Sequence, residues 1–360
     1  MKEYYVGVDL HKRFSQVTVI DKNGGKVDER RIDNDREVLS QYFSRLPAGT
    51  GVAVESTSNW YWLAEVLEEA GMEMSLSHPL KTKLIASARV KTDRIDANCL
   101  AQLLRTNFLP TCHIPDKEQR ELKQLIRYRI SLVRMRTKLK NAIQNVLAAR
   151  NIEVPEVSDL FGKKGKEFLR GVKLDQMDRL RVDGYLRVLE VIEGEIKELN
   201  KMVRERAKES EEAKRLMTIP GISYFSALTI LSEIGDINRF PKAKHLASYA
   251  GLNPSVRESA DKLRRGHISR MGSSWLRWIM VECAQVAARR SRAFKSFHQR
   301  IRNKKGYNMA TVATARKMLE VIYHVLKDRS DYKEALVNTQ NVFRPGEPVF
   351  STGPEMRPWG

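Results

Sequence analysis

Along the first hundred residues the hydrophobic and polar positions change period several times. Residues 4–9 (YYVGVD), 15–21 (SQVTVID) and 26–33 (KVDERRID) read as three strands. The first two are rich in β-branched and aromatic residues, and Asn23-Gly24-Gly25 supplies a hairpin turn between the second and third. A helix over 35–46 precedes GVAVES (51–56), a short apolar strand. Another helix, over 59–70 and ending at Gly71, leads to EMSLS (73–77), closed by His78-Pro79, after which helical sequence runs to 106. Antiparallel strands first, then alternating helix and strand, predict an α/β domain over 1–110: a mixed sheet covered by helices.

The pattern then lengthens. Leu125, Leu132, Leu139 and Val146 recur every seven residues amid basic ones. Val182, Tyr185, Leu189, Ile192, Ile196, Leu199 and Val203 alternate steps of three and four, a heptad stripe. A helical coiled-coil segment is expected over 111–210, with the linker 151–175 reversing the chain. The stripe serves equally an intramolecular helical hairpin and an intermolecular coiled coil. From 214 the pattern is helical throughout, so the remainder is read as all-α: a domain over 211–330, broken at Pro220-Gly221, Phe240-Pro241, Gly251 to Pro254 and Gly266 to Gly272. Residues 331–360 hold four prolines and three glycines with little periodicity and read as a flexible tail.

Composition narrows the class. Hydrophobic residues make up 42% of the 360, enough for a packed core, and the formal net charge is +20. The surplus is clustered: 20 Lys+Arg against 5 Asp+Glu between 241 and 330, and 10 against 2 between 117 and 150. Clustered positive charge fits a polyphosphate partner. Bulky apolar faces of the kind a membrane-surface helix needs are missing, and no apolar run reaches the ~18 residues of a membrane span. Three scattered cysteines (Cys99, Cys112, Cys283) support neither a disulfide framework nor a CxxC zinc site. The strand-like run begins too early for a signal peptide, and a reducing, cytoplasmic, nucleoid-associated setting is expected.

Acids sit where a phosphoryl-transfer site would want them. Asp9 ends the first strand in VGVDLHK and Glu55 ends a later one in VAVEST. Asp93 and Asp96 in KTDRIDA, three apart, share one helix face. Four carboxylates converging at a sheet edge repel one another unless cations are bound, and two divalent ions held by oxygen ligands are suited to in-line attack on a phosphodiester. Singly, each acid has an ordinary alternative: Asp9 a turn residue, Glu55 a loop residue, Asp93 a helix-start residue capped by Thr92.

The C-terminal half carries a second constellation. Thr218 to Ser223 (TIPGIS) resembles a helix-hairpin-helix turn, in which Gly221 and Ser223 would offer backbone N–H groups to a phosphate; a plain packing corner is the alternative. Ser259 lies among Lys262, Arg264, Arg265 and Arg270; by itself it reads as an ordinary loop hydroxyl, and with no histidine nearby to activate it a hydrolase triad is not indicated. Trp275 and Trp278 read as core residues.

GVDLHK, AVEST and KTDRIDA, at these spacings, resemble the DEDD (RuvC-like) transposases of insertion-sequence family one-one-zero, bridge-RNA-guided recombinases. Gly251-Leu252-Asn253-Pro254 and GHISRMG (266–272) reproduce that family's C-terminal anchors. The resemblance implies an RNase H-like (RuvC-like) N-terminal domain in which Asp9, Glu55, Asp93 and Asp96 bind Mg²⁺. It implies a nucleophilic serine at Ser259, although Glu258-Ser259-Ala260 departs from the family's Ser-Gly and leaves Ser255 as the other candidate. It further implies DNA and a structured guide RNA as partners, and dimers and tetramers in which the serine reaches a neighbour's metal site. A RuvC-type nuclease using water, and a non-catalytic nucleic-acid-binding protein, are the other readings of these residues. No GxxxxGK[ST] nucleotide-binding loop occurs, so rejoining of strands would have to conserve bond energy.

Overall fold

The computed structural model describes residues 2–56, 60–85, 92–259, 262–269 and 271–338, without the side chains of 256–259, 262–265, 336 and 338. The chain divides into two compact units, Met1–Pro115 and Asp116–Gly360.

The first unit is a six-stranded sheet in the order β3-β2-β1-β4-β5-β6. Strands β1 (Tyr4–Leu10), β2 (Phe14–Asp21) and β3 (Lys26–Asp33) form an antiparallel meander. The β2–β3 turn is held by Asp21, whose Oδ1 accepts from the N–H groups of Asn23 and Gly25, both at 2.8 Å. Gly24 there takes φ +91°, which a Cβ would penalise. Strand β4 (Gly51–Glu55) runs parallel to β1, and β5 (Glu73–Ser77) parallel to β4. A two-residue edge strand, β6 (Thr111–Cys112), pairs antiparallel with β5 and was too short to leave a pattern in the sequence.

Alternation decides what each face of this sheet meets. Val6, Val8, Val52 and Val54 pack under α1 (Arg36–Phe43) and α2 (Trp60–Glu69), sharing a core with Leu39, Phe43, Leu63 and Leu67. Tyr5, Gly7, Asp9, Ala53 and Glu55 belong to the other face. There Tyr5 and Ala53 pack against α4 (Asp93–Arg105), through Ala101 and Leu100 respectively. The helical run expected between 79 and 106 is thus two helices among the described residues, α3 (Pro79–Ile85) and α4.

The second unit is built on two long helices, α5 (Lys117–Ala149) and α7 (Gln176–Glu209), joined through the short α6 (Lys163–Gly171). They pack antiparallel: Ile143 and Val146 share a cluster with Val182 and Leu189, Leu132 with Ile192, Ile196 and Leu199, and Ile126 with Val203 and Ala207. The heptad stripe is therefore buried within the chain, as a helical hairpin. Arg150, just past α5, clamps the start of α7 by binding Asp178 at 2.6 Å and also Asp175, the α7 N-cap.

The core end of this hairpin merges with the remaining helices: α8 (Glu211–Met217), α9 (Tyr224–Ile234), α10 (Ala243–Tyr249), α11 (Ser274–Arg290), α12 (Arg292–Lys305), α13 (Tyr307–Lys327) and α14 (Ala335–Asn338). Two expectations need correction. The region past 214 is not wholly helical, because β7 (Pro254–Ser259) and β8 (Lys262–Ile268) form an antiparallel ribbon. Nor does the tail begin at 331: Tyr332 stacks on Phe294, and Val337, 4% exposed, enters the core. The tail from 339 to 360 lies outside the described residues. Of the two tryptophans, Trp275 packs against the core while Trp278 remains 39% exposed.

Candidate active site

Asp9 and Glu55 reach the same place because each lies two residues beyond a small residue on the α4 face of its strand. In β1 that residue is Gly7, and in β4 it is Ala53. The parallel register pairs Gly7 with Ala53 and Val8 with Val54, so the two acids leave the sheet at one edge. Helix α4 crosses β1 so closely that a Cβ on Gly7 would stand 1.8 Å from the Ala97 carbonyl oxygen and 2.7 Å from the Ala101 nitrogen. That approach sets the first turn of α4, with Asp93 and Asp96, beside Asp9. Thr92 caps the helix, its hydroxyl accepting from the Ile95 N–H at 3.3 Å. Asp93 is thus both a helix-start residue and a member of the cluster.

His11 completes the group and was not singled out as a site residue from the sequence. Its backbone is fixed in the β1–β2 turn: the N–H donates to the Phe14 carbonyl at 3.0 Å, and the carbonyl accepts from Asn34 Nδ2 at 2.8 Å. Its ring lies 4.6 Å from that of Phe14, which places Nε2 between two carboxylates, 3.2 Å from Asp9 Oδ2 and 3.3 Å from Asp93 Oδ2. The only signal was its position two residues past Asp9.

Electrostatics at Asp9 show the group acting together. Burial pushes its carboxyl above the ordinary aspartate range; His11 pulls it down, and Asp93, Asp96 and Glu55 each push it up. The side chain is only 13% exposed. A half-buried acid facing three more, with one imidazole as compensation, is a site short of positive charge. Ligand atoms of Asp9, His11 and Asp93 all lie within 4.8 Å of one another, close enough for one cation. The oxygen-rich set fits a hard divalent ion such as Mg²⁺, and the imidazole adds a donor that Mn²⁺ accepts more readily.

In the second unit Ser259 ends β7 and pairs in register with Lys262, at the tip of the ribbon. Arg264 and Arg265 follow on β8, opposite Arg257 and Val256. Arg270 lies outside the described residues. Ser255 sits near the ribbon's base, where a Cβ on Gly266 would come within 2.5 Å of its Oγ. At the TIPGIS turn, Ser223 caps α9 in a capping box: its N–H donates to Ser226 Oγ at 2.7 Å, and its Oγ accepts from the Ser226 N–H at 3.3 Å. Gly221, at φ +95°, presses against α11, where a Cβ would lie 2.7 Å from the Cys283 carbonyl oxygen. Capping and packing account for both residues.

Comparison with known proteins assigns the class first: these are the parts of a transposase. Residues 6–151, which hold all four acids, match a DEDD transposase family of the IS110 type, and residues 213–299, which hold the serine ribbon, match the transposase IS116/IS110/IS902 family. The transposase for insertion sequence element IS1111A of Coxiella burnetii is 24% identical over 339 residues, covering 91% of each chain. A probable family 20 transposase of Pseudomonas aeruginosa is 24% identical over 352 residues, covering 91% of this chain and 98% of its own. The pilin gene-inverting protein of Moraxella bovis is 32% identical over 130 residues, 35% of this chain and 40% of its own. The chain belongs to the IS110/IS116 family of DEDD transposases. No helix among the described residues is long and apolar enough to cross a membrane.

Proposed function

We propose that this chain is an RNA-guided DNA recombinase that moves an insertion sequence by cleaving and rejoining strands, with Asp9, Glu55, Asp93 and Asp96 as its metal-binding acids and Ser259 as its nucleophile. The observation that supports the reading is the cluster of Asp9, His11 and Asp93 beside the start of α4, with Asp96 and Glu55 close enough to push the Asp9 carboxyl up. Divalent metal, Mg²⁺ in the first instance, would be held by the four acids and supply charge stabilisation at the reacting phosphate. His11 keeps the Asp9 and Asp93 carboxylates together before metal enters. Lys262, Arg264, Arg265 and Arg270 draw the DNA backbone to the serine. Ser259 Oγ forms a bond to phosphorus as the bond to the departing sugar oxygen breaks, and the hydroxyl proton ends on that oxygen. One phosphoester replaces another, so a second strand's hydroxyl can reverse the step and rejoin DNA without nucleotide hydrolysis. Protomers would assemble as dimers and tetramers around the DNA and the guide RNA.

The test is a denaturing gel of stalled reactions in Mg²⁺. Wild type and Ser255→Ala should show protein covalently attached to DNA, whereas Ser259→Ala should lose both adduct and recombination. An adduct from Ser259→Ala would move the nucleophile elsewhere, and strand cutting with no adduct in wild type would make the enzyme a nuclease that uses water. Discrete RNA co-purifying with protein made beside its own flanking DNA tests the guide; recombination in full without it sinks that part.

A further inference from the structure

Glu233 is a costly residue in its place. It lies in the last turn of α9, where the helix dipole disfavours a carboxylate, and it is 5% exposed. Arg127 Nη2 donates to Oε1 at 3.1 Å and Arg239 Nη2 to its backbone carbonyl at 3.3 Å, and the charge of Glu233 pulls up the half-buried Lys123 ammonium against the lowering by burial.

The remaining oxygen meets the start of α11, the helix that follows the ribbon. Ser273 Oγ donates to Glu233 Oε2 at 2.9 Å, and the same hydroxyl accepts from the Leu276 N–H at 3.1 Å, capping α11. Ser273, the N-cap of α11, follows the end of β8 at Ile268. Its N–H donates to the Tyr249 carbonyl at 2.8 Å, and a Cβ on the adjoining Gly272 would stand 2.1 Å from that same oxygen. The other leg starts from the same stretch: Gly251 turns at φ +67°, and the Asn253 carbonyl accepts from the Ser269 N–H at 2.8 Å. Arg277 Nη1 ties in the Ala250 carbonyl at 3.1 Å. The stretch that follows β8 is therefore tied back to Tyr249 and Asn253 by its backbone, and through the Ser273 side chain to the buried Glu233 carboxylate.

We propose that Glu233 is a positioning residue: through Ser273 it fixes the base of the ribbon, and so the place of Ser259. The inference rests on the serine reading given above. A structural ion pair alone would not need the Ser273 hydroxyl, which is engaged as donor and acceptor at once.

Hydrogen exchange and single-turnover kinetics on the full chain test it, with Glu233→Gln, which removes the charge, and Ser273→Ala, which keeps it. In both variants exchange should quicken over 254–269 while α9, α11 and α13 stay protected. On a DNA duplex bearing the element's junction, the adduct-forming rate should fall about tenfold to a hundredfold, with half-saturating DNA little changed. Unchanged exchange in the ribbon, an unchanged rate, or protection lost evenly across α9 and α11 overturns the proposal. If Glu233→Gln does not fold, Ser273→Ala decides by the same two readouts. If wild type itself forms no adduct, the serine reading fails, and exchange alone decides whether Glu233 anchors the ribbon.

Discussion

Asp9 shows how a residue can be kept at a cost to its own unit. Its carboxyl is raised by burial first, and by Asp93, Asp96 and Glu55 against the pull of His11. An acid whose folded pKa is raised is penalised in its charged form. The penalty is present above that pKa and is relieved as pH falls through it. Asp9→Asn should therefore raise the melting temperature of the metal-free protein at neutral pH by a few degrees, with the gain shrinking as pH falls through the raised pKa. Mg²⁺ or Mn²⁺ should stabilise wild type and not this variant, because a ligand stabilises only the state that binds it. Thermal melts across pH, with and without metal, read both effects; a variant less stable than wild type at neutral pH would mean that the pull of His11 outweighs burial. The same change, like Glu55→Ala, Asp93→Ala or Asp96→Ala, should abolish strand cleavage while nucleic-acid binding persists. The four acids could be picked out because an apolar run ending in a carboxylate, or two acids three apart, is a local pattern. His11 could not: its role depends on α4 arriving from eighty residues away, and a lone histidine in a turn has no period.

At the scale of the element, the crossing of β1 and α4 makes the site, and Gly7 makes the crossing. Gly7→Ala would drive a methyl carbon onto the Ala97 carbonyl, 1.8 Å away unless the helix lifts. The expected loss is at least roughly 1–3 kcal/mol, as for overpacking elsewhere, together with a weaker metal response, since Asp93 and Asp96 move with the helix. Denaturant melts and metal titration measure the two; a variant of wild-type stability and wild-type metal response would deny the helix its role. Elements legible in the sequence were those whose period is enforced by a core, such as the valines of β1 and β4 or the stripe of α7. The β7–β8 ribbon escaped because its strands, PSVRES and KLRRGHI, alternate weakly and are dominated by charge. Their base is set by the anchor at Tyr249–Gly251, which no local pattern in the strands reveals. Whether the α7 stripe met its own chain or another was equally undetermined by period, since a buried seam looks the same from either partner.

For the whole molecule, charge and span matter more than any single side chain. A net charge of +20 implies affinity that falls steeply with salt, through release of counterions from the nucleic acid. Neutralising Arg264, Arg265 and Arg270 together should flatten the slope of log affinity against log salt by about one unit for each phosphate that is no longer neutralised. Filter binding over a range of salt concentrations measures this, and a slope equal to wild type would assign the ribbon's charge to solvent. The paired helices α5 and α7 bring in a different quantity. With 33 and 34 residues they form a strut about 50 Å long at ~1.5 Å per residue. One end is embedded in the core that carries α9, and the other is closed by α6 and the Arg150 clamp. Such a strut is a lever: a tilt of about 10° at the embedded end sweeps the far end through about 9 Å, on the length that helix geometry sets. Conversely, a load applied at the α6 end reaches the core as torque, multiplied by the whole length of the arm.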